Sequence, residues 1–334
     1  LKVEDDEKFI KKVEDLIDPA EVCNLFFFQA FRKLIPRSLF KKLLVKNSRK
    51  TPYMGFVIEP YSLFLFFKLK DIEKAKSLLP ERYELVKARI FEDDKPGYYF
   101  GIGNLNTRGS TFWGVRLESY LIAVDRETGL LSWIFFDILS NTIIALPSEG
   151  IVDPNSRKAI FTTSSKGDIY VDIRDDKSDR ELVLKGNLSR GRIRRPDQPL
   201  WVTGNTSIGH IQDISDYSNN PFAVIFDPSE VGRALDLPIE DFNITKNTLV
   251  PDFAEKFPSR IACFPFTQHY IADSPGCRTL IRNNEDLISN YMKLARMKDI
   301  KTFSTKSIRR LFFTGMIVSP LISLLLLILL ILKS

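Results

Sequence analysis

Ser62-Leu-Phe-Leu-Phe-Phe-Lys-Leu69 opens the stretch that decides the fold, a run from Tyr61 to Phe136 that reads almost wholly as sheet. A short helix-like piece, Ile72 to Leu79, interrupts it and ends in Pro80. Three further strands are expected at Tyr83 to Phe91, Tyr98 to Asn104 and Phe112 to Val124. The turn residues Asp125-Arg-Glu-Thr-Gly129 then lead into a last one, Leu130 to Phe136, as in a hairpin. β-Branched and aromatic side chains dominate these runs, and strands of this length suit a curved sheet or barrel better than a flat edge. The fold class that follows is α+β, mainly β: an antiparallel, barrel-like sheet with N-terminal helices and a C-terminal transmembrane helix.

Outward toward the N-terminus, Lys2 to Asp18 has Phe9, Ile10, Val13, Leu16 and Ile17 at helical spacing and stops at Pro19. A second helix is expected over Ala20 to Ile35, and Ser38 to Lys46 repeats the pattern after Pro36. Between Val22 and Ile58 there are eight basic residues and no acid. Of these, Arg32, Lys33, Arg37, Lys41, Lys42 and Lys46 stand beside a Phe-rich apolar face and are the candidate membrane-surface residues. The alternative is a helical hairpin packed on the sheet with its basic side in water.

Toward the other end, Ser140 to Pro154 reads as an irregular loop, followed by short strands at Lys158 to Thr163, Asp168 to Ile173 and Glu181 to Leu184. Ser189-Arg-Gly-Arg-Ile-Arg-Arg-Pro196 is a basic loop without interleaved aromatics, so no nucleic-acid partner is expected. Strand, Asp, short helix and Leu-Pro occur in that order twice, at Phe66 to Pro80 and at Val224 to Pro238. Glu285 to Lys298 is a helix joining this body to Leu311–Leu332, which is 22 residues without a charge. As a helix that segment would be about 33 Å long, enough for a hydrocarbon core of about 30 Å. Arg296, Lys298, Lys301, Lys306, Arg309 and Arg310 precede it against one acid, Asp299, which leaves the body cytoplasmic by the positive-inside rule. The chain thus reads as a tail-anchored protein in four parts: a basic helical region 1–50, a β domain 51–284, a helical linker 285–310 and a membrane helix 311–332. Membrane lipid is the expected partner.

Chemistry is sparsely signalled. There is no G-x-G-x-x-G or Walker loop and no G-x-S-x-G elbow, and only His210 and His269 occur, which leaves few assemblies for a Ser-His-Asp triad. No cofactor is called for. Cys263, His269 and Cys277, with His210 or Asp273, contain zinc-type ligands, but their spacing matches no zinc pattern, and buried thiols with a hydrogen-bonded histidine are the expectation. Gly101-Ile-Gly103 lies within a strand and reads as a bend in the sheet.

The run Phe66-Phe-Lys-Leu-Lys-Asp-Ile-Glu-Lys-Ala-Lys-Ser-Leu-Leu-Pro80, with the long strands after it, resembles the acetoacetate decarboxylase superfamily over Tyr53 to about Thr206. The resemblance implies a barrel around a hydrophobic cavity and, in the decarboxylases, a buried Lys that forms a Schiff base, its pKa lowered by apolar surroundings and a neighbouring Lys. At the comparable place, Leu146-Pro147-Ser148-Glu149, this chain has Ser and Glu, so no catalytic residue is carried over. Lys68 and Lys70 are the only substitutes in the early strands, and alternation turns them outward while Phe67 and Leu69 fill the core. The function expected is binding or handling of an apolar or amphipathic small molecule, a lipid or a carboxylate. The alternatives are a lyase using other residues and a membrane adaptor with a filled barrel.

Overall fold

The computed structural model describes residues 3–24, 53–109, 112–142, 144–146, 150–152, 154–211, 222–273, 281–300, 310, 313–318 and 320–324. Helix α1 (Val3–Leu16) comes first, and 19–24 is also helical. There follow β1 (Tyr53–Ile58), β2 (Ser62–Lys68), α2 (Ile72–Ser77), β3 (Tyr83–Leu85), β4 (Tyr99–Gly109), β5 (Trp113–Asp125) and β6 (Leu131–Ser140). A small hairpin, β7 (Ile144–Leu146) and β8 (Gly150–Val152), occupies part of what the sequence suggests is an irregular loop. Next are β9 (Ser156–Thr163), β10 (Asp168–Asp175), β11 (Glu181–Asn187), β12 (Arg192–Arg194), β13 (Ile208–His210) and β14 (Val224–Ile225). The last elements are β15 (Ala234–Asp236), β16 (Asn243–Asn247), β17 (Arg260–Phe264), β18 (Gln268–Asp273) and α3 (Asn284–Arg296).

The fold is mainly antiparallel sheet with a few helices. β4 is its spine: one edge of β4 bonds β2 and then β1, and the other bonds β5 along nearly its whole length. From β2 the sheet runs through β17 and β15 to β12, from β1 through β18 to β14, and from β5 through β6 to β13. The β13–β6 pairing is parallel, where an all-antiparallel sheet was expected. The expected closed barrel is not formed by continuous ladders. Among the described residues β13 reaches the segment of β14 through one bridge, Ile208↔Phe222, with N–H···O distances of 2.8 and 2.9 Å. Length is the reason, because β13 has three residues and β14 two, too few for a ladder. The expected strand from Tyr83 to Phe91 likewise stops at Leu85, and beyond it only bridges at Ala88 and Phe91 remain.

Both faces of this sheet are buried. On the outer face Leu63, Leu65, Phe67, Phe100, Ile102, Leu117 and Leu121 form one apolar layer with Phe161, Ile169, Val171, Ile173, Leu182 and Leu184 of a second, four-stranded sheet, β16-β11-β10-β9. The inner face is aromatic. Phe64, Phe66, Trp133, Trp201 and Phe264 meet with ring centroids 4.7–6.4 Å apart. Trp133 and Trp201 each donate their buried indole N–H to a main-chain carbonyl, Leu200 at 3.0 Å and Ile90 at 2.9 Å.

Local chemistry explains the joints. Asp71 and Asp227 open the two strand-to-helix steps as N-caps, accepting from the amides of Lys74 at 3.0 Å and Ser229 at 2.8 Å. The repeated sequence pattern is thus a shared way of leaving a strand, one leading to α2 and the other to a 3-10 turn at Pro228–Val231. In the β5–β6 turn Gly129 has φ +72°, and Asp125 gathers the amide of Glu127, the hydroxyl of Thr128 and a two-pronged contact from Arg82. Helix α1 lies against β1, so close that a Cβ on Gly55 would stand 2.8 Å from that of Leu16. α3 packs on α1 through Phe9 and Tyr291, centroids 4.4 Å apart, and the Tyr291 hydroxyl donates to Asp6.

Among the described residues no helix is long and apolar enough to cross a membrane. Residues 313–318 and 320–324 are helical, and the rest of 311–332 lies outside the described residues.

Candidate functional site

The inner face carries charge in the middle of β5. Arg116, Glu118 and Tyr120 alternate with Leu117 and Ser119, so the pleat points all three to one side. Their partners on β4 are Leu105, Gly103 and Gly101. At Gly103 the missing side chain is clearance. A Cβ on Gly103 would sit 2.8 Å from the Phe64 ring, and one on Gly101 would touch Phe66 and Trp133. Opposite Tyr120 the register slips by one residue, so that Phe135 faces inward beside Trp133.

Within this frame Arg116 Nη2 donates to Glu118 Oε1 at 2.7 Å, and the Tyr120 hydroxyl donates to Glu118 Oε2. The Arg116 and Glu118 side chains are 14% and 7% exposed, so the pair is held out of bulk water. The Arg116 guanidinium lies 4.7 Å above the Phe112 ring. Phe112 adjoins Phe56, which stacks on Tyr270 at 5.0 Å. Burial, with Glu118 alongside, pushes the Tyr120 hydroxyl well above its ordinary pKa, and burial does the same to Tyr270. Both phenols therefore stay protonated. Arg116 Nε is buried and its N–H has no acceptor among the described residues. Leaving such a donor empty costs about 1–3 kcal/mol or more for a charged group, so the position is suited to an oxygen from outside the chain.

His210 borders the same face. Its ring stacks on Phe135 at 5.2 Å, and burial lowers its pKa to about 4, so it is a neutral imidazole at physiological pH.

The candidates read from sequence fall elsewhere. Arg32, Lys33, Arg37, Lys41, Lys42 and Lys46 lie outside the described residues, as does Cys277. Cys263 belongs to the outer apolar layer, where burial pushes its thiol up to about 12. His269 is tied to Glu230, Nδ1 to Oε1 at 2.7 Å and main-chain N to Oε2 at 2.6 Å. Among the described residues no group of three or more His, Cys, Asp or Glu could hold a metal ion. Lys68 and Lys70 are exposed, but not through the alternation expected: Phe66 and Phe67 are both buried, and Lys68 lies on the side of Phe66 at the end of β2. In the basic loop Arg190 bonds Asp241, and Arg194 bonds Asp93, Asp94 and Asp236, so much of its charge is already matched by acids of the fold. Arg116, Glu118 and Tyr120 were missed, although Arg-x-Glu-x-Tyr in an otherwise apolar strand is a legible signal for polar groups sharing one face.

No protein-family model matches the chain, and no curated protein matches it. Among solved structures it is similar to the acetoacetate decarboxylase of Legionella pneumophila subsp. pneumophila str. Philadelphia 1. That likeness has 10% sequence identity and a TM-score of 0.37, and it covers 66% of this chain and 84% of that one. The family is the one that the sequence resembles, and neither activity nor residue roles are transferred from it.

Proposed function

We propose that the chain is a tail-anchored membrane protein with its body on the cytoplasmic side, and that its acetoacetate-decarboxylase-like domain binds an apolar or amphipathic small molecule. The observation that carries the binding reading is the buried Arg116 Nε–H without an acceptor among the described residues, its guanidinium on the Phe112 ring that Phe56 and Tyr270 back. A polar point inside a mostly apolar lining is the usual makeup of a small-molecule site. The anchor reading is supported by Leu311 to Leu332 and by the exposure of its described part. Met316, Ile317, Leu321, Ile322 and Leu324 are each more than half exposed, which apolar side chains tolerate in lipid and avoid in water. Arg32, Lys33, Arg37, Lys41, Lys42 and Lys46 would then face anionic headgroups.

A second reading, a membrane adaptor with a filled interior, is favoured by the ring packing around Trp133 and Trp201, which occupies one end of the inner face. One experiment separates the two. The full chain is purified in mild detergent and its co-purifying small molecules are identified by mass spectrometry, beside an Arg116→Met/Glu118→Leu double variant. Exchanging a buried pair for apolar residues of similar size is often near neutral for stability, so the variant should fold. The binding reading expects a ligand on the natural chain and its loss from the variant. No ligand on either leaves the adaptor. Extraction of the full chain from membranes by carbonate alone would sink the anchor.

A further inference from the structure

We infer that the molecule held at Arg116 is an uncharged amphiphile whose head offers a carbonyl or hydroxyl oxygen, rather than a free carboxylate. This rests on the proposal that this end of the inner face is a ligand site. The argument is charge balance. The Arg116 guanidinium is already matched by Glu118 at 2.7 Å, and the remaining carboxylate oxygen of Glu118 takes the Tyr120 hydroxyl. The pair is therefore neutral as a unit, and both side chains are largely out of water. Among the described residues it lacks one acceptor, for the Arg116 Nε–H.

A neutral oxygen supplies that acceptor and leaves the balance intact. A carboxylate would supply it too, but would bring a second negative charge beside Glu118 where water screens weakly, and like charges in such a place repel strongly. Among the described residues Arg116 is the only cation paired with Glu118: the guanidinium lies on the Phe112 ring, Phe56 and Tyr270 beyond it are uncharged, and His210 is neutral. The same rings make the surroundings apolar, which suits an alkyl chain. The site thus discriminates by rejecting charge, with Glu118 as the excluding residue.

The inference is tested by native mass spectrometry of the full chain released from detergent micelles, with a medium-chain methyl ketone and the fatty acid of equal chain length as probes at neutral pH. The natural chain should retain the ketone at least about ten-fold more than the acid, and retention of the acid should rise as pH falls and its head becomes neutral. Glu118→Gln removes the excluding charge and leaves Arg116 cationic, so it should turn the preference toward the acid by on the order of ten-fold. Equal or better retention of the fatty acid by the natural chain overturns this inference and leaves the binding proposal standing. A folded Glu118→Gln variant with unchanged preference overturns it as well. Retention of neither probe by the natural chain counts against the binding proposal itself. Should Glu118→Gln not fold, the pH series on the natural chain still decides, because a flat series overturns the inference.

Discussion

The two faces of the central sheet are both buried, but by different chemistry. The outer face is largely aliphatic and meets a second sheet, so its side chains interdigitate with a partner of like kind. The inner face is aromatic, and it alone encloses an Arg–Glu–Tyr cluster. Aliphatic layers of this sort contribute cohesion and little else. Large rings with a polar group among them leave an address that another molecule can meet.

The sharpest test of this contrast uses adjacent residues of β2. Phe66 points inward and Leu65 outward, and both are fully buried. Phe66→Ala should cost about 3–5 kcal/mol and Leu65→Ala about 2–5 kcal/mol, read by chemical denaturation. Tryptophan fluorescence should separate them, since Phe66 lies 5.8 Å from Trp201 and 6.2 Å from Trp133. A spectral change from Leu65→Ala equal to that from Phe66→Ala would break the distinction.

A smaller effect is expected from His210. Its folded pKa of about 4 lies below the ordinary value, so the unfolded chain takes up the proton first as pH falls. Stability is complete above about pH 6.5 and declines toward about pH 4, by up to about 3 kcal/mol in all. His210→Phe should flatten that slope in denaturation midpoints measured across the window. An unaltered slope would remove His210 from the enclosed face.

Asp125 responds further to the acid side. Burial works to raise its pKa, but Arg82 and the donors of the β5–β6 turn outweigh that and hold it below the usual carboxylate range. Its contribution is present above about pH 4 and is lost as pH falls below that. Asp125→Asn should lower stability by about 1–3 kcal/mol at neutral pH and weaken the acid-side decline, both measurable by thermal unfolding. An effect at neutral pH with the acid slope intact would assign the residue a packing role only.

The smallest effect belongs to the caps. Asp71→Ala and Asp227→Ala should each cost about 1 kcal/mol, since each carboxylate accepts one amide at a strand-to-helix step. Hydrogen exchange should locate the first loss in α2 and the second in the 3-10 turn at Pro228–Val231. If either loss spreads through the sheet, that step does more than end a strand.

Much of this molecule could be read from order alone. Strand β5 was expected at Phe112 to Val124 and spans Trp113–Asp125, and α1 was expected at Lys2 to Asp18 and spans Val3–Leu16. These features depend on side-chain period, turn residues and caps, which act within a few residues of one another. The apolar length of Leu311 to Leu332 is likewise a property of the chain itself. What only the tertiary structure decided is which face is enclosed and by what. Nothing near Arg116 in sequence announces that Phe56 and Tyr270 pack behind the Phe112 ring it lies on, or that Gly103 clears room for Phe64. The parallel seat of β13 on β6, and the single bridge from it to Phe222, are equally absent from any local pattern. Periodicity tells which residues share a side of a strand. Whether that side meets water, an aliphatic layer or a ring of aromatics is set by elements far away in the chain, because burial is a property of surfaces that have met.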